Sequence, residues 1–174
     1  MPNYRIIDPV KANITTSKDL SSLNGKIFML TTGLIQLDGR GNGNNNKLAI
    51  IVSNTSNSNQ YVNIGTICGS SIFRTTFELY RNGSFPSGTD IIPHNTNTKF
   101  NDTPTIISSK YIKTSSNPFS SDILLSSFIQ EQGMNIYYCD GTIKIYAGDS
   151  IGFLITNYST QSAYVTLNIS LIES

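Results

Sequence analysis

The segment AYVTLNISLI, Ala163 to Ile172, decides the fold. Val165, Leu167, Ile169 and Leu171 alternate with Thr166, Asn168 and Ser170. Period two sends the first set to one face of an extended chain and the second set to the other, which describes a half-buried β-strand. Ile151, Phe153 and Ile155 alternate in the same way, and so do Leu48, Ile50 and Val52. Further strand signals cover 26–32, 61–68, 74–81, 105–113, 135–139 and 142–146, with a short one at 90–93. Within 61–68, Gly65 interrupts the alternation of Val62 and Ile64, which marks a bulge.

Turn chemistry separates these runs. Asp38 to Asn46 reads DGRGNGNNN, and 54–59 is a second polar loop. Asn82-Gly83, Asp140-Gly141 and Gly148-Asp149 are tight-turn pairs. Helical periodicity is nearly absent. Ile123 to Gln132, with Ile123, Leu124, Phe128 and Ile129, fits either one short helix or a strand interrupted by Ser126 and Ser127. Eight or nine short strands punctuated by turns predict an all-β fold, an antiparallel two-sheet jelly-roll-like sandwich. The predicted core is Phe28, Leu48, Ile50, Val52, Val62, Ile64, Phe77, Leu79, Ile143, Ile145, Ile151, Phe153, Ile155, Val165, Leu167, Ile169 and Leu171.

The chain divides into an extended N-terminal arm, 1–25, and a jelly-roll domain, 26–174. In the arm, Tyr4, Ile6, Ile7 and Val10 form an apolar tip bounded by Pro2 and Pro9, and 11–25 is a polar tether. Such a tip covers the domain's own edge, docks on a neighbouring subunit or stays disordered. The expected contact is the neighbouring subunit, through Tyr4, Ile6, Ile7 and Val10, with closure on the parent domain's own edge as the main rival.

Composition bounds the chemistry. The chain has 174 residues, 13% of them charged, against about a quarter in ordinary globular domains. Asn, Ser and Thr supply the polarity, at roughly a third of the residues. The net charge is +1, so no electrostatic footprint points to nucleic acid or to an anionic membrane. Near-neutrality also removes the self-repulsion that keeps monomers apart. No run reaches the roughly 18 apolar residues of a membrane span. MPNYRIIDPV has no apolar core of a standard signal peptide, so an extracellular destination implies lysis or a non-standard route.

Catalytic and metal-binding patterns are not indicated. The only histidine, His94, sits in IIPHNTN, beside turn formers and away from any nucleophile-elbow serine. The carboxylates are scattered and form no calcium loop. Gly39 to Gly43 lacks both phosphate-loop spacings and leads into no helix. Cys68 and Cys139 form no CxxC pair and read as two small buried thiols, with a bridge between them left open. The sequence therefore indicates no catalytic residue, no cofactor and no metal. Tyr61, Tyr80, Tyr111, Tyr137, Tyr138, Tyr146, Tyr158 and Tyr164 lie in or beside strands, where they suit a sugar platform or subunit contacts. The absence of Trp weighs against the sugar platform. Sequons such as those at Asn54 and Asn157 are expected by chance in a chain this rich in Asn, Ser and Thr.

Phe77 to Asn97, FELYRNGSFPSGTDIIPHNTN, resembles a segment of small structural proteins of phages and Firmicutes, in which an LYRN strand end precedes a GT-x-I-x-P turn. TTGLIQL, LAIIVSNTSNSNQYVNIG and IKIYAGDSIGFLITNYSTQSAYVTLNISLIE extend the resemblance to about residues 25–173. AGDSI is also similar to the closing strands of the C1q/TNF-like jelly roll of spore-surface glycoproteins. The resemblance implies a jelly-roll subunit of a virion (head decoration or accessory protein) or of an endospore surface or appendage. It implies copies of the chain itself as partners, and a capsid or spore-coat protein as a further one. The chain lacks a collagen-like stalk and a cysteine-rich N-terminal connector. The expected function is a non-enzymatic, self-assembling structural subunit of an extracellular assembly, joined partly through the arm. The alternative is a carbohydrate- or receptor-binding jelly-roll module.

Overall fold

A computed structural model of the protein describes residues 24–41 and 45–174. The four arm positions Tyr4, Ile6, Ile7 and Val10 lie outside the described residues.

Among these described residues twelve strands follow in order: β1 Ile27–Thr31, β2 Ile35–Leu37, β3 Lys47–Asn54, β4 Tyr61–Ser71, β5 Thr75–Arg81, β6 Thr89–Asp90, β7 His94–Asn95, β8 Ile107–Thr114, β9 Ile123–Gln130, β10 Gly133–Tyr146, β11 Ser150–Asn157 and β12 Ala163–Glu173. They form two antiparallel six-stranded sheets. The first has the order β10-β4-β12-β1-β7, with β2 also on β12, and the second the order β6-β8-β3-β11-β5-β9. From β9 onward every connection carries the chain to the other sheet. The last two strands enter the middle of each layer, β11 between β3 and β5 and β12 between β4 and β1. This is the jelly-roll-like sandwich that the alternation predicts.

The core lies between the sheets. It holds every predicted core residue except Ile143, which is half-buried and packs against it, and adds Leu30, Leu37, Ile67, Ile106, Ile107 and Cys139. Ile123 to Gln132, open between helix and strand, is strand β9. Gly65 is a bulge as expected: Ser170 faces Thr66 and Leu171 faces Ile64, so Gly65 has no counterpart on β12. A side chain there would meet the Ser170 hydroxyl, which itself accepts from the Thr66 amide at 2.8 Å.

Two local expectations need correction. Asp140-Gly141 does not end a strand. It lies within β10, where the pairing with β4 shifts register between Tyr138 and Ile143. The shift falls opposite the Gly65 bulge, so one irregularity is matched by another and the strand continues. Cys68 and Cys139 are not two buried thiols. Cys139 is buried in the core, whereas Cys68 is half-buried on the outer face, between Ile136 and Asn168. No disulfide joins them.

A second apolar cluster lies on the outside of the β3–β11–β5 sheet. Ala49, Ile51, Tyr80 and Leu154 are covered there by Phe85 and Phe119. Phe119 is fully buried, with ring centroids 5.4 Å from Tyr80 and 6.1 Å from Phe85. Asn117 fastens this cover. Its Nδ2 donates to the Tyr80 hydroxyl at 3.0 Å and its Oδ1 accepts from the Phe119 amide at 2.8 Å. Gly152 fits beneath, since a Cβ there would stand 2.9 Å from the Phe119 ring. β11 is consequently apolar on both faces.

Buried polar groups are anchored at strand ends. Asn54 Nδ2 donates to the carbonyls of Gln60 and Ile145, and Asn157 Nδ2 to those of Asp38 and Gln161. Both asparagines are at most 2% exposed, so these two sequons hold loops to the sandwich and are closed to glycan transfer. The Glu173 carboxylate accepts from the amides of Thr105 and Ile106 and from the Thr105 hydroxyl, which ties the approach to β8 onto the end of β12.

Candidate functional site

His94 sits in β7, and its Nδ1 lies 2.6 Å from Asp102 Oδ2, with both side chains more than half exposed. This is a surface contact between two side chains eight residues apart, of a kind worth little to stability. Among the described residues no group of three or more His, Cys, Asp or Glu side chains is placed to hold a metal ion.

The distinctive surface is the side of the sandwich where β9 and β10 end their sheets. β9 is the last strand of one sheet and β10 the last strand of the other. On the opposite side the outer strands are β6 and β7, two residues each. Long free edges are normally kept short, bulged or charged, because their open amides and carbonyls pair with other chains. Here they run for 8 and 14 residues. They also carry nine of the sixteen large hydrophobic side chains exposed among the described residues: Ile123, Leu124, Leu125, Ile129, Met134, Ile136, Tyr137, Tyr138 and Tyr146.

Strand pairing shows where these side chains face. Thr76 and Tyr80 lie on the outside of the β5 sheet, opposite the core residues Phe77 and Leu79. Ile129 pairs with Thr76 and Leu124 with Tyr80, so both point outward from that sheet. A register shift between Leu79 and Tyr80 leaves Leu125 as the extra residue of a bulge. Leu125 lines a cleft of about 350 Å³ between the two edges, together with Leu79, Tyr137, Ile143, Ile145 and Ile151. On the other sheet Met134 pairs with Ser70, Ile136 with Cys68 and Tyr138 with Thr66, all on the outer face. The apolar band thus wraps the edge, with one flank on each outer surface and a cleft between.

At ~100 Å² for each half-exposed side chain, the band presents roughly 900 Å² of apolar surface divided between the two flanks and the edge, where the largest single patch on a typical monomer is about 300–600 Å². Charge lies beside it: Glu78 is across from Ser127 on the β9 flank, and Arg81, Lys144 and Asp149 line the cleft. The β10 flank is less charged. Across the sheet from Ile136 the row reads Cys68, Asn168, Thr31, and from Tyr138 it reads Thr66, Ser170, Met29.

Of the tyrosines singled out in the sequence, Tyr137, Tyr138 and Tyr146 belong to this band, Tyr158 and Tyr164 are exposed elsewhere, and Tyr80 is buried under Phe119. They form no common platform. The sequence reading missed the band because Ile123, Leu124 and Ile129 fall in a stretch left open between helix and strand, which assigns them no face. The signal available was the excess of apolar residues on both phases of 123–129 and 134–138, more than one face can bury.

No protein-family model matches the chain, and no curated protein matches it in sequence. Among solved structures it is similar to the Yersinia pseudotuberculosis-derived mitogen, at 12% identity over 81% of this chain and 83% of that one, with a TM-score of 0.38. It is similar to the decameric BFDV capsid protein at 11% identity over 85% of this chain and 98% of that one, with a TM-score of 0.20.

Proposed function

We propose that the protein is a non-enzymatic structural subunit that assembles with copies of itself into an extracellular structure, a phage virion or a bacterial spore or cell surface. The observation that carries this reading is the apolar band along the edges of β9 and β10, which are unpaired among the described residues. Removing apolar area from water is worth about 25 cal/mol per Å², and a macromolecular surface that meets either flank removes several side chains from water at once. The assignment to virion or spore rests on the resemblance of 77–97 and 143–173. The net charge of +1 fits close packing of identical copies.

The N-terminal arm supplies a second contact in this reading. Four apolar groups within seven residues gain about 1.5–3 kcal/mol each on full burial. The tether of fifteen residues reaches on the order of 50 Å when extended, enough to leave the parent domain. Negative-stain imaging of the full chain and of a variant lacking residues 1–10 tests the function. Ordered particles or fibres from the full chain, weakened or lost in the truncated but folded variant, are expected. A full chain that stays monodisperse and single at high concentration, and binds a glycan array, would instead establish the carbohydrate-binding alternative.

A further inference from the structure

The band has two halves that face in different directions. Leu124 and Ile129 point outward from one sheet, with Leu125 at the edge beside them. Met134, Ile136 and Tyr138 point outward from the other sheet. The two halves lie on opposite outer surfaces of a sandwich whose sheets pack about 10 Å apart. A single partner meeting one face covers one half and leaves the other in water. A two-fold pairing of like halves therefore leaves half of the apolar band uncovered.

We propose that the partner on this surface is a second copy of the chain, bound head to tail. The β9 half of one copy, Leu124, Leu125 and Ile129, packs on the β10 half of the next, Met134, Ile136 and Tyr138. This rests on the self-assembly reading above and goes beyond it by fixing which surface meets which.

Three observations favour a second copy over a partner of other chemistry. The two halves are of similar size, so each covers the other. Glu78 lies beside the β9 half, across from Ser127, and Lys144 lies further along the outer face of β10, charges of opposite sign that suit a contact between unlike halves. Six side chains contribute roughly 600 Å² to one contact, and the polar surface around them on both faces supplies the rest of a ~1,600 Å² standard interface. Their neighbours on the receiving face, Cys68, Thr66, Asn168 and Ser170, are small or short enough to let two surfaces approach. A contact between unlike surfaces leaves one half open at each end of a pair. It therefore continues to a ring of at least three copies or to a filament.

Ile129→Glu and Tyr138→Glu test the arrangement. Each places a charge in one half only, at side chains 58% and 66% exposed in the single chain. The full chain should sediment as three or more copies, and each variant alone as a monomer. Mixed at equal concentration, well above that at which the full chain assembles, the two variants should form a one-to-one pair. The intact β10 half of the first then meets the intact β9 half of the second. A mixture that stays monomeric while the full chain assembles would overturn the head-to-tail contact and leave self-assembly standing. So would either variant forming a dimer alone. A full chain that is monomeric at every concentration would remove the self-assembly reading itself. Should Glu at either position cost the β-sheet circular dichroism, Ile129→Asn and Tyr138→Asn carry the same comparison.

Discussion

Glu78 sits on β5 with its cross-strand partners Leu154 and Ser127, on the outside of its sheet. Burial raises its carboxyl above the usual value of 4.5, against a hydrogen bond with Tyr80 and attraction to Lys47 that pull the other way. A raised carboxyl holds its proton more tightly in the fold than in the unfolded chain. Its contribution to stability is therefore full below pH 4.5 and is lost as pH rises through the folded value. Glu78→Gln should melt at a higher temperature than the native chain at pH 7, with the difference shrinking below pH 4.5. A lower melting temperature at pH 7 would mean that the Tyr80 and Lys47 contacts outweigh the burial. None of this was legible in the sequence, where Glu78 is one of eleven scattered carboxylates. The same holds for Asn54 and Asn157. In a chain full of loop asparagines, nothing local distinguishes two whose amides happen to reach buried carbonyls.

The alternating strands were legible because period two on one buried face leaves a direct trace, as in β12, where buried and half-buried residues alternate from Val165 to Leu171. Strands that break the alternation were harder to read. β11 is apolar on both faces, since the loops that carry Phe85 and Phe119 fold over its outer side, and no periodic signal announces a cover supplied from 30 or more residues away. β9 stayed ambiguous because its outward side chains are as apolar as its inward ones. The Asp140-Gly141 pair misled because turn propensity is local, while the continuation of β10 is set by its partner β4. The cover makes a testable claim of its own. Phe119 is fully buried between Tyr80, Phe85 and Gly152, so Phe119→Ala should cost about 3–5 kcal/mol in denaturant unfolding, as a core phenylalanine does. A loss under ~1 kcal/mol, the scale of a surface change, would show that the two loops are not part of the packed structure.

For the molecule as a whole, the sandwich buries its interior well and its β9–β10 side poorly. The sides are unequal because β6 and β7 are too short to offer an edge, while β9 and β10 are long and, among the described residues, have no strand on their outer side. The proposed assembly would give the two long edges and their flanks a surface to meet. The sequence pointed toward self-association through its low charge and its apolar arm tip. The band itself emerges only when strand order brings residues 123–129 and 134–146 to one side. Sedimentation equilibrium of the purified full chain over a hundredfold range of concentration tests the central claim most directly. Self-assembly predicts a mass that rises with concentration to a multiple, three or more, of the 19.1 kDa chain. A mass that stays at 19.1 kDa throughout would contradict it.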